Sequence, residues 1–423
     1  MAKRLKKLLV ISWALPPFLS PRSIQVARTL KQLAELGWEI DVITARRSRL
    51  WNWSNLDFDL EKKYNSTYTA YSVDGYTPFN WKLSFPRIGN APKDSPDEHE
   101  QWTFLARQAG ERLIRSKHYD LILSFAQPWS SHRVGLSLKE STQLPWVAHF
   151  SDPWADNPYY KKWNASQRAK MQLWEEEVIR KADAVVFTNL QTSDLVMRKY
   201  RPAWKKKAFV VPHGFEEYKA GRSSKQIVSS QFLVVHTGNL YGLRTPEHLI
   251  RALGMLKETN RLDQNLKVKF IGFVKNTNKY LNLAKQLGVE QYIEFTGRLS
   301  YEKTTRIASQ ANVLLLIDAP SEGESLFLPS KLVDYLRFNK PILGLTPLKG
   351  AAADLLETIE CPIVAPENVK GIAENLAGML NEHKRGELNI SNKFKRGAAN
   401  YNIQKTTSML NNVLKEVATR AAS

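Results

Sequence analysis

The sequence of 423 residues contains one cysteine, Cys361. A single thiol excludes an intramolecular disulfide and a cysteine metal site, and its expected role is that of a small buried residue. No apolar run approaches the roughly 20 residues that a membrane-spanning helix needs. The basic residues 1–7 precede an apolar stretch that stops at Ser12. The sequence therefore predicts no signal peptide and a cytoplasmic location.

Glycine is missing from residues 13–22, which join a predicted strand at 8–12 to a predicted helix at 24–36. Together with a second strand at 39–44, these elements form the βαβ opening that is typical of a doubly wound domain. A dinucleotide needs glycines in this loop so that its pyrophosphate can approach the backbone. Their absence disfavours a nicotinamide-dependent oxidoreductase.

No histidine, cysteine or carboxylate cluster has the spacing of metal ligands, and no nucleic-acid-binding motif is recognisable. We therefore expect neither a metal nor a nucleic-acid partner. The formal net charge of +20, taken alone, favours anionic partners: nucleic acid, an anionic membrane surface or phosphate-bearing substrates. A role in solubility alone is the alternative, since the basic residues are spread along the chain.

Short apolar segments alternate with helical patterns along the chain, which indicates an α/β fold with parallel sheets. The pattern predicts a first domain at 1–205, a second at 206–395 and a C-terminal helical segment at 396–423. The predicted strands, besides the two above, lie at 120–124, 146–150, 184–188, 232–236, 268–271, 292–295, 313–317, 342–345 and 362–364.

Residues 46–104 break this alternation and are rich in aromatic side chains. Aromatic residues interleaved with lysine and arginine suit a membrane interface, or a platform for a sugar or lipid acceptor. They equally suit the core of an insertion. Both interpretations stay open.

The strand at 313–317 is followed by a polar loop, a helix from Ser330 and a further strand at 342–345. Lys331 falls in the first turn of that helix, where a cation is normally unfavourable. An anion such as a diphosphate would explain it, because Lys331 and the free N–H groups could both contact the anion. A lysine reaching into solvent is the alternative.

Two other segments place polar residues after predicted strands. His149 and Asp152 follow the strand at 146–150, at the edge where open α/β sheets bind ligands. Gly238, Asn239 and Arg244 lie between a strand and a helix, where glycine admits a phosphate and arginine can neutralise it. The alternatives are a core histidine, a turn-capping aspartate and an ordinary turn.

The segment LPSKLVDYLRFNKPILG, residues 328–344, resembles the donor-binding segment of the GT-B glycosyltransferases, in particular the large retaining family 4. The resemblance implies two Rossmann-like domains facing a cleft, with the last helix crossing back onto the first domain. It implies that Asp334 binds the donor ribose. Many members carry a glutamate eight positions earlier, where this chain has Leu326; Glu322 and Glu324 lie nearby. The donor-binding residues implied are Gly238, Asn239, Arg244, Gly297, Arg298, Leu299, Glu324, Ser330, Lys331 and Asp334.

The segment PPFLSPRSIQVARTL is similar to the family's opening, which implies that Pro21 and Arg22 lie on the acceptor side.

The resemblance further implies transfer of a sugar, of the hexosyl type, from a nucleotide-diphosphate sugar to a hydroxyl of a polysaccharide or lipid-linked precursor. It implies retention of configuration, no metal and no cofactor beyond this co-substrate. Asp152 or His149 would position or deprotonate the acceptor hydroxyl. A cytoplasmic enzyme with a basic, aromatic first domain is expected to meet such an acceptor at the inner face of the cell membrane, by peripheral contact. A sugar-nucleotide epimerase of the same fold and a non-catalytic polyanion-binding homologue are the alternatives.

Overall fold

The computed structural model describes residues 6–46, 56–74, 99–158, 163–218, 231–321 and 323–422. The chain divides into two compact units. The first comprises Met1–Gly214 and Ile403–Ser423, and the second comprises Phe215–Asn402. The units therefore change after Gly214 and again after Asn402, where the sequence analysis placed boundaries after residues 205 and 395.

The described part of the first unit is built on a parallel sheet of seven strands in the order β3-β2-β1-β4-β5-β6-β7. The strand order reverses direction between β1 and β4. This is the doubly wound topology, and ligands bind such sheets at the carboxyl ends of the strands beside the reversal. The strands are β1 Lys6–Ile11, β2 Trp38–Ala45, β3 Thr69–Val73, β4 Leu121–Phe125, β5 Trp146–Phe150, β6 Ala184–Phe187 and β7 Ala208–Val210.

Helices cover both faces of this sheet, so its central strands are buried throughout. The helix from Pro21 begins with the hydroxyl of Ser20 accepting a hydrogen bond from the Ser23 N–H. A capping box at Asn164 and Gln167 begins another helix. The helices are α1 Pro21–Glu35, α2 Phe58–Tyr64, α3 Glu100–Ser116, α4 Ser130–Thr142, α5 Ala165–Lys181, α6 Leu190–Met197 and α7 Pro202–Lys205.

The described part of the second unit repeats this plan with six parallel strands in the order β10-β9-β8-β11-β12-β13. Its strand order reverses between β8 and β11. The strands are β8 Phe232–Thr237, β9 Leu266–Ile271, β10 Ile293–Gly297, β11 Val313–Ile317, β12 Ile342–Leu345 and β13 Ile363–Val364. The helices are α8 Glu247–Glu258, α9 Thr277–Gln286, α10 Tyr301–Ser309, α11 Ser330–Leu336, α12 Ala351–Thr358, α13 Val369–Lys384 and α14 Asn392–Ala399.

The last helix, α15 Ile403–Ala422, belongs to the first unit and packs on α1. Leu410 and Leu414 join the core of that unit. The indole N–H of Trp38 donates to Asn411 Oδ1 at 2.8 Å. The GT-B prediction that the last helix returns to the first domain is confirmed.

Each predicted strand coincides with an observed one, but the segment 46–104 differs from its prediction. It contains α2 and the edge strand β3, which pairs with β2 from Asp41↔Thr69 to Ala45↔Val73. The side chains of β3 are exposed or half-buried, so the strand lacks the apolar run that revealed the others. Of the aromatic side chains in this segment, Trp51, Trp53, Tyr76, Phe79, Trp81 and Phe85 lie outside the described residues.

Candidate active site

The strand reversal of the second unit brings three segments together at the carboxyl edge of its sheet. Gly238 follows β8, Asp318 follows β11, and α11 begins nearby with Ser330 and Lys331. Gly238 has φ of +102°, and a Cβ atom there would lie 3.3 Å from Nζ of Lys331. The absence of a side chain at Gly238 therefore leaves room for the lysine head group.

Lys331 is held by a histidine rather than by a carboxylate. Its Nζ lies 3.3 Å from Nε2 of His236, a fully buried residue of β8. His236 Nδ1 lies 2.9 Å from the Leu315 carbonyl oxygen, so Nδ1 carries the proton and Nε2 accepts from Lys331. Burial and the neighbouring Lys331 lower the pKa of His236 well below its ordinary value, which keeps the ring neutral.

Arg244 forms an ion pair with the buried carboxylate at this edge of the sheet. Its Nε lies 3.1 Å from Oδ1 of Asp318, whose side chain is 3% exposed. The Ala319 N–H donates to the same oxygen at 2.8 Å. In the part of the chain that the structure describes, no carboxylate lies within ion-pair distance of Lys331.

This arrangement gives Lys331 an unusual charge balance. Burial lowers its pKa from 10.5 to about 7, and repulsion from Arg244 adds to the effect, while Asp318 opposes it. Because this pKa is close to neutral pH, a bound anion would shift Lys331 towards its charged form. A diphosphate is the type of ligand that meets this requirement.

The loop from Asp318 to Pro329 is anchored at Ser325. The Ser325 N–H donates to the Lys349 carbonyl at 3.0 Å, and the Ala351 N–H donates back to the Ser325 carbonyl at 3.0 Å. Gly350 has φ of +109°, and a Cβ there would come within 2.2 Å of the Ser325 oxygen. The neighbouring Glu324 is exposed. Glu322 lies outside the described residues.

Asp334 lies one turn after Lys331 on α11 and is half-buried. Residues three apart share a helix face, so both side chains are on the same side of α11. Asp334 therefore lies one turn from Lys331 on this face, and its ribose-binding role stays a prediction.

Asn239 ties two loops of this edge together. Its Oδ1 accepts from the Phe273 N–H at 3.0 Å, and the Leu240 N–H donates to the Phe273 carbonyl at 2.8 Å. Asn239 therefore has a structural contact within the protein, and its predicted contact with the donor stays untested.

Gly297 is the last residue of β10, and because Gly297 and Arg298 are both exposed, this end of the strand forms a shelf at the sheet edge. Gly297 has φ of +70°, and a Cβ there would meet nothing within 4 Å. The Arg298 guanidinium lies 5.6 Å from the ring centroid of Phe273, which is 46% exposed. Leu299 packs against the core beneath. A flat base could lie on such an exposed ring and guanidinium.

In the first unit, Asp152 follows β5 at the carboxyl edge of the sheet. Its Oδ2 accepts from Gln127 Nε2 at 3.2 Å and lies 3.1 Å from the Ser151 hydroxyl. Ser151 also lies 3.1 Å from the Ala126 carbonyl. These contacts orient the carboxylate through side chains on two neighbouring loops, after β4 and after β5.

His149 is a poorer candidate base than Asp152. It is 5% exposed, and its Nδ1 has no hydrogen-bond partner among the residues that the structure describes. Burial, followed by the nearby Arg22 guanidinium, lowers its pKa from 6.5 to about 3. The ring lies 6.3 Å from that of His213, centroid to centroid. A base with so low a pKa takes up a proton weakly at neutral pH.

Arg22 is the second residue of α1 and is half-buried, whereas Pro21 at the start of the helix is exposed. Burial lowers the pKa of Arg22 to about 10, and the Asp152 carboxylate opposes the effect. Arg22 and Asp152 thus interact electrostatically, and the structure places a cation and a carboxylate at the same edge of the first sheet.

Comparisons with known proteins identify the family of the chain. A family model described as a glycosyl transferase 4-like domain matches residues 23–214, and one described as glycosyl transferases group 1 matches residues 218–413. The chain belongs to the family 4-type GT-B glycosyltransferases. The two models together span nearly all of both units.

Individual relatives are distant. A D-inositol 3-phosphate glycosyltransferase of Corynebacterium aurimucosum is 24% identical over 325 residues, which are 72% of this chain and 70% of the relative. The structure of Anabaena HepE in complex with UDP is 14% identical, covers 97% of this chain and 100% of its own, and has a TM-score of 0.66. Sucrose-phosphate synthase from Thermosynechococcus elongatus is 16% identical, covers 99% and 100%, and has a TM-score of 0.69. The structural likenesses show the GT-B fold.

Sequence reasoning missed several residues of this glycosyltransferase that the structure places at or beneath the two sheet edges. His213 lies beside His149, His236 supports Lys331, and Glu175 anchors the loop that carries Asp152. His236 had a signal, since a polar residue stands in the apolar strand segment Phe232–Thr237 just before Gly238. Glu175 had none, because it is the first of three consecutive acidic residues, 175–177, in a largely exposed helix.

Glu175 of α5 is fully buried and has three donors. The Ala155 N–H donates to it at 2.9 Å, Lys199 Nζ at 2.6 Å and the Tyr200 hydroxyl at 2.8 Å. Lys199 also pairs with Asp156 at 2.5 Å. The network joins the loop after β5 to α5 and to the chain after α6.

We expect Glu175→Ala to lower the free energy of unfolding of the first unit by about 3 kcal/mol, because it leaves Lys199 and two further donors without their buried acceptor. Urea unfolding followed by tryptophan fluorescence measures this unit, since all 12 tryptophans precede residue 205. Glu176→Ala, at an exposed neighbour on the same helix, is the control and should change stability by less than about 0.5 kcal/mol. Equal stabilities of the two variants would contradict the anchoring role.

The buried histidines predict that the first unit loses stability in acid. Burial lowers the pKa values of His132, His149 and His213 below 6.5. Below that pH these histidines are protonated in the unfolded chain but stay neutral in the folded chain. The free energy of unfolding is therefore highest above about pH 6.5 and falls as the pH decreases.

Between pH 6.5 and its pKa in the folded protein, each of these histidines should lower the free energy of unfolding by up to about 1.4 kcal/mol for each pH unit of acidification. For His149 this folded pKa is about 3. Urea unfolding by tryptophan fluorescence at pH 7.5, 6.5 and 5.5 measures the slope. His149→Gln should reduce it by one histidine's share, whereas His118→Gln, at a ring that is 59% exposed, should leave it unchanged. A stability that is constant over this range would contradict the prediction.

Two searches of the described residues were negative. No group of three histidine, cysteine, aspartate or glutamate side chains there could hold a metal ion. No helix among those residues is long and apolar enough to cross a membrane.

Proposed function

We propose that the protein transfers a sugar, of the hexosyl type, from a nucleoside-diphosphate sugar bound by the second unit to an acceptor hydroxyl bound by the first. The observation that carries the proposal is the pair Lys331 and Arg244 at the strand reversal of the second sheet. Arg244 is balanced by Asp318, whereas among the residues that the structure describes Lys331 has the neutral His236 as its side-chain hydrogen-bond partner. The edge therefore offers positive charge to a diphosphate.

The same two cations suit the reaction itself. As the bond to the anomeric carbon breaks, negative charge grows on the departing diphosphate, and Lys331 and Arg244 would stabilise it while the sugar passes through an oxocarbenium-like state. Because the protein supplies these cations, we propose that transfer needs no metal; chelation with EDTA should leave the rate unchanged. Retention of configuration is part of the proposal, and membership of the family 4-type glycosyltransferases supports it.

The remaining donor contacts are assigned from their places around this edge. The base would lie on the shelf formed by Gly297, Arg298 and Leu299, next to the exposed ring of Phe273. Asp334, on the Lys331 face of α11, would bind the ribose, and Glu324 on the anchored loop would contact the sugar. Anabaena HepE was crystallised with UDP and with UDP and glucose, which supports a nucleoside diphosphate as the ligand class.

On the acceptor side, Asp152 would take the proton of the attacking hydroxyl, since its carboxylate is already oriented by Gln127 and Ser151. Arg22 offers a cation at the same edge. The Corynebacterium relative is named for a phosphorylated polyol. A phosphate-bearing acceptor, such as a lipid-linked saccharide precursor, fits this edge and the net charge of the chain.

A thermal-shift and turnover screen tests the proposal. UDP-, GDP-, dTDP- and CMP-sugars are each offered alone and with a phosphorylated or lipid-linked acceptor. We expect one sugar nucleotide to stabilise the protein and to be consumed faster with an acceptor than without. Conversion of the sugar nucleotide into an isomer without acceptor would indicate the epimerase instead. Stabilisation by none of the four would overturn the proposal.

We also propose peripheral contact with an anionic membrane at the inner face of the cell membrane. The outer face of α3 carries Phe104, which is 62% exposed, and the exposed arginines Arg107, Arg112 and Arg115. An exposed aromatic ring among arginines suits an anionic interface. Sedimentation with phosphatidylglycerol vesicles at low salt, reduced by Phe104→Ala and absent with phosphatidylcholine, is the expected result. No sedimentation with either lipid would refute the contact.

A further inference from the structure

His236 is a buried titratable group that the proposed transfer does not use. It is the penultimate residue of β8, is 0% exposed and lies two residues before Gly238. Its ring packs 6.1 Å from that of Phe270 on the neighbouring strand β9. Most buried polar side chains have hydrogen-bond partners, so the contacts of this ring carry information.

Both ring nitrogens of His236 have partners, and their directions follow from the chemistry. The Leu315 carbonyl can only accept, so Nδ1 donates to it at 2.9 Å. Nε2 then carries a lone pair and accepts from Lys331 Nζ at 3.3 Å. The Tyr335 hydroxyl also lies 3.1 Å from the Leu315 carbonyl, but its other contacts are with Thr237. Among the described residues, Tyr335 thus shares the Leu315 carbonyl with His236 but makes no hydrogen bond to Lys331.

The charges that face His236 come from each side of the crevice. Lys331 approaches from α11 and Arg244 from the loop after β8, while Asp318 follows β11 and pairs with Arg244. From β9 the ring of Phe270 adds no charge. A protonated His236 would be a third cation, repelled by both Lys331 and Arg244, so the imidazole stays neutral.

We propose that His236 is a positioning residue for the donor diphosphate: its neutral Nε2 holds the Lys331 head group at the sheet edge without offsetting its charge, and diphosphate binding draws a proton onto Lys331. The proposal rests on the proposed function of this edge as a donor site. It adds that donor binding is coupled to proton uptake, and it names the side chain responsible.

A histidine does here what neither a carboxylate nor an apolar residue could do. A carboxylate at this position would pair with Lys331, cancel its charge and keep it protonated whether or not an anion is bound. An apolar side chain would leave the lysine head group without an acceptor in a buried setting, which disfavours the ammonium form. The neutral imidazole leaves Lys331 oriented and responsive to the ligand.

The direction of the pH dependence follows from Lys331. Its pKa in the empty protein is lowered to about 7. Below pH 7 the ammonium is already present, and binding takes up little proton. Above pH 7 each diphosphate must bring a proton to Lys331, so the Kd rises with pH, by up to about tenfold per unit.

The experiment is isothermal titration calorimetry of the full chain with UDP and GDP at pH 7, 8 and 9, in buffers of different ionisation enthalpy. For the wild type we expect one nucleotide to bind with proton uptake and with a Kd that rises above pH 7. Lys331→Arg should bind with no pH dependence over this range, because a guanidinium stays charged.

The variants of His236 separate positioning from packing. His236→Gln, whose amide oxygen can replace Nε2, should keep the Kd at pH 7 within about threefold and retain the rise with pH. His236→Leu should bind about tenfold more weakly at pH 7, because the ammonium loses its acceptor. His236→Glu should also bind more weakly and show little pH dependence. Tyr335→Phe, which removes a contact to the same Leu315 carbonyl, is the matched control and should keep the wild-type slope.

The outcomes distinguish this inference from the function on which it rests. If the wild type binds neither nucleotide nor any in the donor screen, the donor site itself is refuted, and the inference with it. If the wild type binds and His236→Leu keeps both its Kd and its slope, only the inference is overturned. A wild-type Kd that is constant from pH 7 to 9 would overturn it even if a His236 variant failed to fold.

Discussion

Lys331→Ala is expected to lower kcat/KM for sugar transfer by about 10²- to 10³-fold, the usual cost of removing one group that stabilises developing negative charge. Lys331 provides a cation at the strand reversal whose described hydrogen-bond partner is the neutral His236. Arg244 would remain, but its charge is shared with Asp318. Both binding of the diphosphate and its departure should therefore suffer, and KM should rise while kcat falls.

The measurement is initial-rate kinetics with the sugar nucleotide that the screen identifies, together with the thermal shift that this nucleotide causes. Lys340→Ala is the matched control, because Lys340 is a partly buried lysine beyond the other end of α11 whose pKa is also lowered by burial. It should leave both quantities unchanged. A Lys331→Ala variant with wild-type kinetics would remove the assignment of this edge to the donor.

Asp152→Asn is expected to lower kcat by about 10²- to 10⁴-fold, the range for loss of a general base, with no change in the thermal shift caused by the donor nucleotide. An asparagine keeps the size of the side chain and can still accept from Gln127. The fold of the loop should therefore survive, and only the proton acceptor is lost.

Asp194→Asn, at an exposed carboxylate of the same unit, serves as the control and should retain full activity. His149→Gln separates the two candidates after β5. Because the pKa of His149 is lowered to about 3, its loss should cost much less kcat than the loss of Asp152. The reverse order would make His149 the acceptor-side base.

Much of the fold could be predicted because its signals are local. The strands Trp146–Phe150, Val313–Ile317 and Ile342–Leu345 were predicted to the residue, since strands buried on both faces need continuous apolar runs. The helix Ala165–Lys181 was predicted equally well. The strand Thr69–Val73 was missed because an edge strand with exposed side chains carries no such run.

The candidate site was predictable only in part. Lys331 was noticed because a cation in the first turn of a helix breaks a local electrostatic rule, and Arg244 because it enters a glycine-containing turn. Both are properties of neighbouring residues. Their relation was not predictable, because Lys331 and His236 are 95 positions apart, and Arg244 and Asp318 are 74 apart.

The sequence by itself determined the α/β class, the order of most strands and helices, and the segments that end at a sheet edge, since apolar periodicity, helix caps and glycines act over a few residues. Only the tertiary structure decided which charged and polar side chains contact each other. Parallel strands that are distant in sequence become neighbours in the sheet, so the pairing of Arg244 with Asp318, the neutral support of Lys331 by His236 and the burial that lowers the pKa values of Lys331 and His149 exist only after the strands have assembled.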